Sequence, residues 1–180
     1  MTNQSITSLL LPFAILMASS PMLTAAGSAD SEQVSKLLSQ AKTDAYQMKE
    51  DAAAMESYTR LNTDWRSHTT AVNEMKEHIN AVGRILTKLE DARPQATPWQ
   101  VTAIDRIKPL LREIASNTES IILALNKDPR RLTQAEYKDY IEANADESAQ
   151  LSELIADFVN YGNSKSRMDR LATKLELPSS

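Results

Sequence analysis

The chain of 180 residues has no cysteine. That one absence removes several chemistries together. There is no disulfide framework, so packing alone must hold the fold. There is no thiolate nucleophile and no covalent attachment point for a c-type haem. No cysteine follows the apolar N-terminal segment to carry a lipid. Glycine is scarce too, with only Gly27, Gly83 and Gly162. Neither a glycine-rich phosphate loop nor a Gly-x-Ser-x-Gly elbow can be built from them. Aromatics make up 5% of the chain, and the alternating β-branched runs of a sheet protein are missing. A basic excess is also lacking, since 20 Lys and Arg stand against 24 Asp and Glu for a net charge of −4. Nucleic acid is therefore not expected as a partner, because phosphate binding needs a basic field. The charge is too balanced, and apolar side chains too frequent, for a disordered chain.

Charge is absent altogether from the first 29 residues, and every charged side chain lies at or after Asp30. Leu9–Ala18 reads as the apolar core of a secretory signal, and Thr24, Ala25 and Ala26 offer small residues for cleavage before Gly27. The segment Met1–Ser8 departs from the pattern in having no Lys or Arg. The competing reading is an uncleaved membrane anchor. Pro12 and Pro21 interrupt the apolar run, which is shorter than the roughly 20 residues a spanning helix needs. The expectation is a cleaved signal over residues 1–26 and a single domain over 27–180. The product would be periplasmic or secreted, with no stable membrane insertion after cleavage.

What the chain does have is helical periodicity. In Thr97–Asn126, residues Ile104, Ile107, Leu111, Ile114, Thr118, Ile121 and Leu125 recur at spacings of three and four, which keeps them on one helix face. Thr97 and Gln100 form a capping box around Pro98. Asn126 and Asp128-Pro129 end the helix. Pro109 interrupts the backbone but not the phase of the stripe, which predicts a kink inside one helix. The same period marks helices over about 30–62, 65–91 and 134–161, the last opened by a second capping box at Thr133–Glu136. The first stripe is rich in alanine, which predicts a bulkier partner there. Gly83, beside the second stripe, predicts a close backbone contact. Gly162-Asn163-Ser164 predicts a helix stop, followed by a short helix over about 165–176. The three apolar residues of that last helix must cover something: it is one candidate for a partner-binding face, and the favoured expectation is that it closes one end of the bundle. Short loops between long helices give the fold class: all-α, an up-down-up-down antiparallel four-helix bundle with a short C-terminal helix. The near-heptad repeat predicts left-handed packing.

Such threading gathers the polar stripe residues Thr59, His68, Thr118 and Asn144 at one pole, with Tyr58, Tyr137 and Tyr140 nearby. The other pole is expected to be mostly aliphatic. His68, Thr59, Thr118, Tyr137 and Asn144 are thus the candidate ligand-binding residues. The plain alternative is a hydrogen-bonded layer that fixes helix register. A core histidine with core methionines also admits b-type haem, with His68 and Met55 as axial ligands and Met75 within reach. Methionine on a helical stripe is more often filler. A di-iron carboxylate site needs Glu-x-x-His pairs on facing helices. Glu74 is four residues before His78 rather than three, and no second pair exists. No carboxylate can be tied to either histidine from the sequence. No catalytic residue, metal ligand set or cofactor is therefore assigned.

Leu132-Thr133-Gln134-Ala135-Glu136 resembles the Leu-Thr-x-x-Gln signature of small periplasmic stress chaperones of the Spy/CpxP type, with Glu136 where glutamine belongs. That resemblance implies chaperone-like activity, although a capping box explains the same residues. Pro98–Glu119 resembles stretches of uncharacterised bacterial exported helical proteins, which carry no known function. The expected protein is an exported, non-enzymatic envelope interaction or structural module with an unidentified protein partner. The alternatives are a small-ligand or haem carrier at the His68 pole and a periplasmic chaperone.

Overall fold

The computed structural model describes residues 30–61, 64–127 and 133–177. The expected signal segment, the loop over 128–132 and the last three residues lie outside them. All the regular structure described is helical: α1 (Glu32–Leu61), α2 (Trp65–Ala92), α3 (Pro98–Lys127) and α4 (Ala135–Lys174), with one 3₁₀ turn at Arg93–Gln95. α1 packs against α2 and α4, and α3 packs against the same two helices. The apolar stripes meet in one core. Val34, Ala45, Met48, Met75, Leu89, Ile104, Ile114, Ile141 and Ile155 are wholly buried within it. Trp65, where the second helical period begins, is 43% exposed at the helix start.

Caps explain where the helices begin. Asp64, expected in a turn with Thr63, is the N-cap of α2, and its Oδ1 accepts from the backbone N–H of Arg66 and Ser67 at 3.0 Å each. Thr63 itself lies outside the described residues. Ser31 starts α1, its Oγ accepting from Val34 N–H at 3.4 Å. Gln134, one residue after Thr133, occupies the N-cap of α4, and its own side chain makes no cap bond.

Gln100 does more than close its own capping box. Its Oε1 accepts from Thr97 N–H at 3.0 Å and from Ser31 N–H at 3.1 Å. Its Nε2 donates to Ser31 O at 2.9 Å and Ser35 Oγ at 3.0 Å. One fully buried amide thus serves the first turns of both α1 and α3. Asp30 sits beside it and accepts from Trp99 Nε1 at 2.8 Å and Thr97 Oγ1 at 3.0 Å. Lys165 of α4 lies 3.4 Å from the other Asp30 oxygen. The pole expected to be aliphatic is therefore densely hydrogen-bonded.

The two helical glycines have exchanged their expected roles. α4 runs unbroken through Gly162, so there is no separate C-terminal helix. Gly162 is needed for space: a Cβ there would stand 2.8 Å from the Trp99 ring. Gly83, expected at a close contact, has nothing within 4 Å of where its Cβ would be. Pro109 lies within continuous α3 on an exposed face. The Asp105 carbonyl it deprives of a donor is on that same solvent side, where water can serve it. α4 ends in a Schellman turn, with Leu177 N–H bonded to Ala172 O at 3.0 Å, Glu176 N–H to Thr173 O at 3.3 Å, and Glu176 at φ 54°.

Three expectations follow for thermal or urea unfolding. Gly83→Ala should stabilise by about 1 kcal/mol, because the helix gains propensity with no clash. Gly162→Ala should lower the melting temperature and shift Trp emission, since the Trp99 ring is held by Asp30 and Tyr161. Gln100→Ala should cost about 2–4 kcal/mol, since it orphans buried donors and acceptors on two helices. A Gln100→Ala loss within 0.5 kcal/mol of zero, in the range of an ordinary surface substitution, would show that the amide holds nothing together.

Candidate functional site

At the pole opposite Gln100, the first turn of α2 brings His68 against Tyr58 of α1 and Tyr137 of α4. The His68 ring meets Tyr58 edge-on at 5.9 Å between centroids and Tyr137 at 5.7 Å. Tyr137 Oη lies 2.9 Å from His68 Nδ1. Burial pushes the Tyr137 phenol well above its ordinary pKa, so it keeps its proton. Burial also lowers the His68 pKa, with Asp64 opposing in part. His68 is neutral in the folded protein near pH 7.

Further along the core lies a second polar layer. Asn144 Nδ2 donates to Thr118 Oγ1 at 2.8 Å, and that hydroxyl donates to Ile114 O at 2.8 Å. Both groups also approach Met75 Sδ, Asn144 at 3.6 Å and Thr118 at 3.9 Å. Asn144 Oδ1 and Ser148 Oγ are buried without a hydrogen-bond partner among the described residues.

Four of the five candidate ligand-binding residues are therefore deep in the core. His68, Thr118, Tyr137 and Asn144 form two layers rather than one pocket. Thr59 does not join them. Its hydroxyl turns back to Glu56 O at 2.7 Å, and Tyr58, one residue earlier, takes the place facing His68. Met55, the speculative haem ligand, is fully buried in the apolar core. A haem ligand needs an open nitrogen beside a slot for the macrocycle. His68 is 1% exposed, and its Nδ1 is taken by Tyr137. The cavity at this pole, about 260 Å³, runs between Ser120–Lys127 of α3 and Gln134–Tyr140, and neither His68 nor Met55 lines it.

Two features lie outside the expected site. His78 Nδ1 lies 2.6 Å from Asp51 Oδ2, so a carboxylate is tied to a histidine after all, across α1 and α2. Neither residue lies on a stripe, and the register of α1 against α2 is not readable from one sequence. The second is an aromatic groove between α3 and α4. Trp99 and Tyr161 pack edge-on at 5.3 Å, and the Arg106 guanidinium stands 5.8 Å from the Phe158 ring centroid. Leu154 and Asp157 complete this open groove of about 340 Å³. Its α4 residues begin an outer stripe, distinct from the core stripe: Leu154, Phe158, Tyr161, Lys165, Met168, Ala172 and Leu175, spaced four and three in turn. That spacing was visible in the sequence but was divided by the helix stop expected at Gly162.

Among the described residues no three His, Asp or Glu side chains converge as a metal site, and no helix is long and apolar enough to cross a membrane. Comparisons with protein-family models, curated proteins and solved structures find no match for this chain.

The buried His68 makes stability depend on pH in a defined direction. Its folded pKa lies below the unfolded value of about 6.5, so the unfolded chain takes up this proton first as pH falls. The contribution is fully present above pH about 6.5 and is lost as pH falls toward the folded pKa. His68→Gln keeps an acceptor for Tyr137 without a titrating ring. Its melting temperature should fall less than wild type's between neutral pH and the mildly acidic range. Parallel falls in the two proteins would refute the buried neutral imidazole.

Proposed function

We propose that this chain is an exported, non-enzymatic helical-bundle interaction module of the bacterial envelope. The observation that carries this reading is the uncovered apolar stripe on the C-terminal turns of α4. Met168 is 69% exposed, Leu171 47% and Leu175 61%. These side chains were expected to close the bundle, and they touch solvent instead. An apolar face on an otherwise well-packed fold marks a surface that something else covers. Export is supported by the uncharged leader pattern of residues 1–26.

The threading in this proposal is up-down-up-down and antiparallel. Its support lies in the contacts: Asp30 before α1 meets Lys165 late in α4, while Tyr58 late in α1 meets His68 early in α2. The two polar core layers then serve register, because their members are bonded to one another and sealed from solvent.

The triple variant Met168→Ser, Leu171→Ser, Leu175→Ser tests the reading. Residues that serve a partner contribute little to the isolated fold, so its melting temperature should match wild type within about 2 °C. A fall of more than about 5 °C would mean that these side chains hold the bundle itself, and the interaction reading would fail.

A further inference from the structure

The C-terminal part of α4 is a basic amphipathic overhang. α4 has 40 residues against 30, 28 and 30 for α1, α2 and α3. The excess of ten or so residues extends about 15 Å. Lys165, half-buried against Asp30, marks its base, and from Arg167 onward every side chain but Ala172 is exposed. The overhang is a finished helix rather than a frayed end, because the Schellman turn closes it and brings Leu177 back over Ala172. At 100° per residue, Met168, Leu171, Ala172 and Leu175 share an arc of about 100°, and Arg167, Arg170 and Lys174 fill an adjoining arc of about 60°. None of these three cations has an ion-pair partner among the described residues. Of the two acidic residues in Arg167–Leu177, Asp169 is paired with Lys165 at 3.1 Å, and Glu176 lies in the closing turn beyond the helix. A chain of net charge −4 thus presents an unneutralised basic strip beside an apolar one at a single tip.

The position of that tip matters as much as its composition. Asp30, where the uncharged N-terminal segment joins the fold, is the residue that Lys165 contacts. The chain that follows the apolar run Leu9–Ala18 therefore enters the fold at the base of the overhang.

We infer that the overhang Arg167–Leu177 is a membrane-surface element that lies on anionic lipid, its apolar arc among the upper acyl chains and its three cations at the phosphates. The helix is too short and too charged to span, and the pattern is that of an interfacial helix. This inference rests on the interaction reading and names its surface. A second copy of the chain is the competing occupant. The apolar arc alone would suit it, but three unpaired cations placed at the leader's entry point favour a phosphate-bearing surface.

The lack of cysteine makes a clean test available. An environment-sensitive dye on Ala172→Cys of the full chain reports burial at the overhang, and the same dye on Leu123→Cys, at the far end of α3, is the control. Vesicles rich in phosphatidylglycerol should blue-shift the Ala172 probe and leave the Leu123 probe unchanged. Phosphatidylcholine vesicles should require about tenfold more lipid for the same shift, and added salt should erase the difference. Combining Arg167→Gln, Arg170→Gln and Lys174→Gln should abolish the anionic preference while leaving thermal unfolding intact. No shift with either lipid, or equal shifts with both, would overturn the inference. So would a shift that follows protein concentration without lipid, which would assign the stripe to a second copy. If the probe fails to shift while the triple serine variant keeps its stability, the lipid surface is refuted and the interaction module is not.

Discussion

The side-chain amide of Gln100 is the constraint on which the arrangement of helices depends. Helix termini leave backbone groups unpaired, and these are usually served by side chains of the same helix. Here one residue serves two helices at once, accepting from the first N–H groups of α1 and α3 and donating into α1. Both protons and the oxygen are used, and the group is wholly buried. The geometry is unforgiving: a shift of α1 along α3 by one residue would break all three bonds to Ser31 and Ser35 together. Apolar stripes tolerate sliding, because one isoleucine resembles another. A buried, fully satisfied polar network does not tolerate it.

The same logic divides the bundle lengthwise. The Gln100 pole is clamped by hydrogen bonds and by Asp30, which joins α1 to Trp99 and to Lys165. The middle is aliphatic. The far pole holds the neutral His68 between two tyrosines, and next to it the Asn144–Thr118 pair, which leaves the Asn144 oxygen unserved. One end therefore sets register with complete pairing, and the other with incomplete pairing at a cost of about 1–3 kcal/mol for the orphaned acceptor. A charged His68 would add to that cost, because burial disfavours the imidazolium.

Much of this was legible in the chain. The stripe positions of α1, α2 and α3 describe their buried faces, because burial and helical period are the same information in a bundle. His68, Thr118 and Asn144 were legible as core polar residues for that reason. Gln100 also continues the α3 stripe one turn before Ile104, yet its capping-box role explained it locally and hid the tertiary one. Thr59 and Tyr58 differ by one position, and a period of three or four cannot say which of two neighbours turns inward at a helix end. Gly162 and Gly83 were misassigned because a glycine's purpose lies in what stands opposite it. The Asp51–His78 contact depends on helix register, which one sequence does not contain.

The Asp30–Lys165 pair joins the first described residue of the fold to one of its last well-packed ones. A chain made from its N-terminus has α1, with its alanine-lined face, long before it has the part of α4 that covers that face. The closing contacts span nearly all of the described chain, so the bundle cannot seal until synthesis is almost complete. The order of synthesis thus works as a timer. The chain remains open while it is being made, and its last turns complete the fold.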